Sequence, residues 1–214
     1  MQLPVGTILL IIVAILAYFG VLHRVLDRMK LSDTAALIIA LLMAAGTFLD
    51  IPISRGNIQV RANVGGAIIP LAVVVWLVAT ADEASEKARS VFAVLATGIV
   101  VWGLTKVLSP EEQLMRFSPM LAFGLAAGII AAVAGRSRRA AFAGGIGGIL
   151  IADFIHLIEL AVRRMPGAVA FGGAGTFDAT VVAGILAVAL VELVGEARER
   201  AVKTGGGERN EGEK

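Results

Sequence analysis

The sequence predicts an all-α fold, a polytopic helical membrane bundle of seven transmembrane helices. Of its 214 residues 57% are hydrophobic and 17% charged, whereas soluble chains are roughly 45–50% apolar. The apolar residues gather into seven runs separated by short charged connections, and about 20 such residues make a helix that crosses the hydrocarbon core. The connections carry unequal charge. With the N-terminus outside, the inner segments and tail hold 13 Lys/Arg and the outer segments 6, the bias that sets an N-out, C-in orientation in a cell membrane.

Leu3 to Leu22 is the first span, and its basic cluster (His23, Arg24, Arg28, Lys30) follows the apolar run. A secretory signal has the opposite order, so an uncleaved span is expected. Span two covers Thr34 to Ile53, with Ser32 as N-cap and Asp33 complementing the helix dipole. IPISRGNIQV, Ile51 to Val60, alternates apolar and polar residues around Arg55-Gly56-Asn57 and reads as a short hairpin. Span three, Val64 to Thr80, begins with Gly65, Gly66 and Pro70, which loosen a helix and free backbone carbonyls. ADEASEKARS is expected as a solvated loop, followed by span four (Val91 to Val107) and the polar connection SPEEQLMRFSP. Span five is Met120 to Gly135, the basic turn is Arg136 to Arg139, and span six is Ala140 to Val162. The seventh span starts at about Val169 and ends near Val194. Residues 1–195 form one membrane domain, and 196–214 a charged, Gly-rich tail of frayed helix and disorder.

Several function classes drop out. A net charge of +2 without interleaved basic and aromatic residues gives no nucleic-acid signature. The absence of cysteine removes disulfides, thiolate metal sites and a Cys nucleophile, and two histidines make no His-rich metal site. No metal or cofactor is expected. The partners are the lipid bilayer and either a membrane peptide or a small solute; the sequence gives no oligomeric state.

Asp153 in span six and Asp178 in span seven carry the chemistry. A charge inside a span costs roughly 2.5–3.5 kcal/mol on insertion scales, so each needs a partner or a wet cavity. Counted at about 1.5 Å per residue from the outer turn, both fall about 15 Å deep. Adjacent antiparallel helices can therefore bring them face to face, and two carboxylates that close share a proton, as in an aspartic protease. Gly172, Gly173 and Gly175 with Thr176, and Asn63, Gly65, Gly66 and Pro70 in span three, would receive an extended substrate. The hairpin offers a strand edge for it. The same acids suit a proton relay or cation site in a transporter, or purely structural bonds to backbone and to Thr176 and Thr180. His156 shares the helix face of Asp153 and is an auxiliary candidate. Asp50 caps the hairpin or joins the acids, and Asn63 reads first as the cap of span three. Glu159 is expected to snorkel to water, Glu192 to meet Arg198, and Trp76 and Trp102 to contact lipid or neighbouring helices. Spans one to three and five to seven suggest a 3+1+3 repeat, each half with an acid (Asp50, Asp153) before a glycine-rich start (NVGG, GGAGTFD).

LSDTAALIIALL, DIPI, NVGGAIIP, ADFIHL and GGAGTFDATVVAGI together resemble a prokaryotic membrane family known as domain of unknown function 1614, over Leu31 to Val194. In that family Asn often stands at the place of Asp50, which implies a non-catalytic role there. A more distant similarity is to presenilin-like and prepilin-peptidase-like intramembrane aspartyl proteases, which carry one aspartate on a helix and a second after a Gly-x-Gly turn. This resemblance implies catalytic roles for Asp153 and Asp178. The spacing here is Gly173-x-Gly175-x-x-Asp178, and Pro70-Leu71-Ala72 is the only counterpart of the proline motif.

Overall fold

The computed structural model describes residues 5–18, 26–27, 29, 31–107, 119–173 and 176–207, with the side chains of 5–6, 17, 119, 176–178 and 198–207 outside that description. Seven helices lie among these residues. They are α1 (Val5–Tyr18), α2 (Asp33–Gly46), α3 (Ile69–Ala79, entered through a π-helical turn, Val64–Ile68), α4 (Ala84–Val107), α5 (Pro119–Gly135), α6 (Arg138–Val162) and α7 (Thr176–Gly207). A small sheet joins them: β1 (Asp50–Arg55), β2 (Ile58–Asn63) and β3 (Gly167–Phe171), in that spatial order. The expected all-α class is therefore corrected to a mostly helical fold with a three-stranded sheet.

Three helices, within Ala84–Val107, Arg138–Val162 and Ala179–Ala197, are long and apolar enough to cross a membrane; four further apolar helices are shorter. Their outward faces present Leu41, Val75, Phe92, Leu95, Ile99 and Val133, as lipid contact requires.

Local chemistry explains most boundaries. The Ser32 hydroxyl accepts from the Ala35 N–H at 3.1 Å and starts α2, with Asp33 in its first turn. That helix stops at Gly46 rather than at Ile53, because Asp50 to Ile53 belong to β1. Gly65-Gly66 loosens span three into the π-helical turn, and Pro70 sits in the first turn of α3, where a missing N–H costs nothing. The expected loop ADEASEKARS shortens to Ala81 to Glu83, since Ala84 to Ser90 form the first two turns of α4. Good helix formers with Glu86 in the first turn favour that outcome. Ser137 caps α6 by accepting from the Ala140 N–H at 3.1 Å, so the basic turn narrows to Arg136-Ser137. SPEEQLMRFSP, except its last residue Pro119, and the cluster His23, Arg24, Arg28 and Lys30 lie outside the described residues.

The hairpin forms with β1 antiparallel to β2 and an irregularity between Pro52 and Ser54. The larger correction concerns the seventh span: Gly167–Phe171 is not its start but β3, parallel to β2 from Ile58↔Gly167 to Ala62↔Phe171. Val60 and Val169 face each other in that ladder and are both buried, which gives the strand its apolar reason to dock.

Helix α6 is the centre of the bundle, packed by α3, α4, α5 and α7. From Ala143 to Leu150 every residue is buried. A Cβ on Gly144 would meet Ala93 Cβ at 2.7 Å, and one on Gly145 the Ala183 carbonyl oxygen at 2.7 Å. Small residues thus let the backbones approach, as membrane helices do where lipid supplies no hydrophobic drive. At the end of α6 away from the sheet, buried Arg139 donates from Nε to the Leu77 carbonyl at 2.9 Å, binds Thr80 and lies over the Trp76 ring. Arg138 pairs with Glu192; the side chain of Arg198, its expected partner, lies outside the described residues.

Candidate functional site

Two breaks in helical structure meet at the sheet end of the bundle. The first follows α2. Asn63 is buried and its Nδ2 donates to the Thr47 carbonyl at 2.7 Å and to Asp50 Oδ1 at 2.9 Å. Its Oδ1 accepts the Gly66 N–H at 2.8 Å, which makes it the cap of the π-helical turn. One side chain therefore ties the end of α2, the start of β1 and the start of span three. A Cβ on Gly65 would lie 2.8 Å from Gly46 C, so the turn runs backbone to backbone against α2.

The second break is the segment after β3. Gly172 adopts φ +62, a conformation that glycine enters without a Cβ penalty. Its backbone packs directly on Gly66: a Cβ at Gly66 would stand 2.7 Å from Gly172 C and closer still to its carbonyl oxygen. The Gly172 N–H donates to Asp153 Oδ2 at 3.5 Å. A Cβ at Gly173 would lie 3.7 Å from Asp50 Oδ1. Asp50, Asn63, Gly65, Gly66, Asp153, Gly172 and Gly173 thus come together, as two broken segments flanked by two carboxylates. Gly65, Gly66 and Gly172 are consumed by packing against one another and against α2. Gly173 has more room, with Ala170 Cβ the nearest atom to an added Cβ at 3.5 Å.

The strand explains why Asp153 meets Gly172. Val162 back to Asp153 is nine residues of helix, about 13 Å of rise. Gly167 to Phe171 is four steps of strand, also about 13 Å. The earlier depth count, which used helical rise throughout, is corrected on this point. A second register locates Asp178. Added Cβ atoms at Gly145 and Gly184 would touch Ala183 and Ile146 respectively. Counting along the antiparallel pair from those levels sets Asp153 at the height of the start of α7, within about two residues of Asp178, or about 3 Å along the helix axis. Gly175 and the side chains of Thr176 and Asp178 lie outside the described residues. Among the described residues the half-buried Asp153 carboxylate has the one contact with Gly172, and a carboxylate has about four acceptor positions.

Outward along α6, the chain builds a separate polar cluster. Glu159 does not snorkel freely; its side chain is 10% exposed and pairs with Lys106. It also accepts from Trp102 Nε1 at 3.2 Å and lies 3.2 Å from Arg163 Nη2. His156 Nδ1 is 3.7 Å from the same carboxylate, and Lys106 stands over the Trp102 ring. Lys106 was not singled out from sequence, and Trp102 only as a contact of lipid or neighbouring helices; their i, i+4 spacing was the available signal. Pro70 is fully buried among the helices. No cluster of three or more His, Cys, Asp or Glu suited to a metal occurs among the described residues.

Three apolar helices long enough to span a bilayer are those of a membrane protein. Residues 18–190 match the family described as Protein of unknown function (DUF1614), and the chain belongs to that family. No curated protein and no solved structure matched it.

Proposed function

We propose that this is a seven-span protein of the cell membrane, N-terminus outside and C-terminus inside, that cleaves a membrane peptide at an aspartyl dyad of Asp153 and Asp178. The observation that carries the reading is the Asp153–Gly172 contact at the end of β3, level with the start of the helix that bears Asp178. The sheet supplies the way in. β3 is an outer strand, and an extended peptide added beside it would be led to Asp153. In the reaction one carboxylate takes a proton from water as the water oxygen attacks the scissile carbonyl carbon. The protonated partner gives its proton to the carbonyl oxygen. Collapse of the tetrahedral intermediate breaks the C–N bond: the amine leaves with the proton first taken from water, and a hydroxyl of the intermediate returns a proton to the other carboxylate.

A second reading is proton- or cation-coupled transport of a small solute. What favours it is the pairing of interrupted segments: Asn63 to Gly66 with Asp50, and Gly172-Gly173 with Asp153, meeting at the Gly66–Gly172 contact. That pairing also supports the 3+1+3 repeat.

The test uses the purified full chain in liposomes with a fluorogenic transmembrane peptide. The wild type should cleave it, and Asp153→Asn and Asp178→Asn should each lose about 100-fold or more. Cleavage surviving in either variant removes the dyad. A wild type that cleaves nothing but moves protons or cations across the liposome, and loses this in Asp153→Asn, establishes transport instead.

A further inference from the structure

At the end of the bundle away from the sheet, an open groove of about 600 Å³ runs between α4 and α5, its walls including Phe92, Ile129 and Val133 and its rim Arg89 and Arg136. Arg139, the second residue of α6 and three residues after Arg136, lies about 21 Å along that helix from Asp153, so the groove is no part of the acidic site. We propose that it binds an anionic phospholipid, the two guanidinium groups holding the headgroup phosphate and an acyl chain lying on the apolar wall.

Three observations point to this occupant. The first is charge left uncommitted. Arg138 pairs with Glu192 and Arg139 with Leu77 and Thr80, whereas Arg89 and Arg136 are exposed and make no ion pair among the described residues. The nearby carboxylate, Glu86, accepts from Ser137 at 3.0 Å and makes no ion pair with either arginine among the described residues. Forked guanidinium donors match phosphate oxygens.

The second is the order of polarity along the helices. Arg89 lies near the start of α4, and Phe92, 62% exposed, follows one turn later. Arg136 directly follows α5, whose last turns expose Ile129 and Val133 at 51% and 71%. Charge at the helix ends and bare apolar surface toward the middle is the axial profile of a phospholipid. A free anion would leave that wall unused.

The third is the backbone at Arg136. Its φ is 57, the left-handed conformation for which glycine is the usual residue after a helix. An arginine stands there instead, lining the mouth of the groove. Basic pockets between helices at one membrane face are the recognised form of anionic headgroup sites.

The experiment is native mass spectrometry of the delipidated full chain in detergent, titrated with phosphatidylglycerol or phosphatidylcholine of the same acyl chains. Phosphatidylglycerol should bind more tightly, by about fivefold per arginine and about 25-fold in all. Arg89→Gln with Arg136→Gly should abolish the preference. This pair is mild for folding, because glycine suits the φ at 136; an unchanged melting temperature confirms that the chain is intact. Arg89→Lys with Arg136→Lys should keep most of the preference, and Arg61→Gln, on the sheet, should keep all of it. Equal binding of the two lipids by the wild type, or a preference that survives in the Arg89→Gln, Arg136→Gly chain, overturns the proposal. So does full competition by millimolar inorganic phosphate, which would make this a site for a free anion.

Discussion

Glycine builds two regions of this molecule, and it does different work in each. In the first half of α6, Gly144, Gly147 and Gly148 face the side chains of Ala93, Val94 and Thr97. At the sheet end, Gly65, Gly66 and Gly172 face main chain: the Thr47 nitrogen, the Gly172 carbonyl and the Gly66 carbonyl carbon. A side chain can yield by rotating or by a small helix shift. A backbone held by the Asn63 bonds on one side and the β2–β3 ladder on the other cannot. These three α6 glycines therefore set how closely helices approach, whereas Gly145 meets the Ala183 main chain as the sheet-end glycines meet theirs, and the latter fix the height of a loop against a carboxylate.

Substitutions can break that contrast. Gly66→Ala and Gly172→Ala should cost the most, roughly 3 kcal/mol or more, combining overpacking with positive φ at 172. Thermal unfolding in detergent would show this as the largest loss in a glycine-to-alanine series. Gly144→Ala should cost less, about 1–2 kcal/mol, because the first atoms met, the Cβ atoms of Ala93 and Ala131, have no rotamer to change but stand on helices that can shift slightly. An equal loss at 144 and 66 would abolish the distinction. Gly103 in α4 has nothing within 4 Å of an added Cβ, so Gly103→Ala should raise stability, by up to about 1 kcal/mol.

The helices were legible in the sequence because each is an apolar run with a local stop. Ser32 as cap, Asn63 as cap and the loosened start at Gly65-Gly66 were readable for the same reason: each effect acts within four residues. The hairpin was readable from its alternation. β3 was not, because GAVAF is a short apolar run that periodicity cannot tell from a helix start. Its partner, β2, lies more than 100 residues earlier in the chain. The same long range hid the Glu159 cluster, which joins α4 to α6, and the buried Arg139, which reads locally as one more residue of a basic turn. The acidic site was half legible. Asp153, Gly172, Gly66 and Asn63 were all named, but their meeting depends on β3 descending at strand pitch beside α6.

The chain contains no cysteine, so one pair of substitutions tests the central claim on a clean background. Asp153→Cys with Asp178→Cys, in membranes, should be joined by a short bis-thiol reagent as efficiently as the Ala152→Cys, Ala179→Cys pair from one buried cluster. Efficient joining of the Ala152–Ala179 control with none between 153 and 178 would contradict the account, since the two acids would then belong to separate sites.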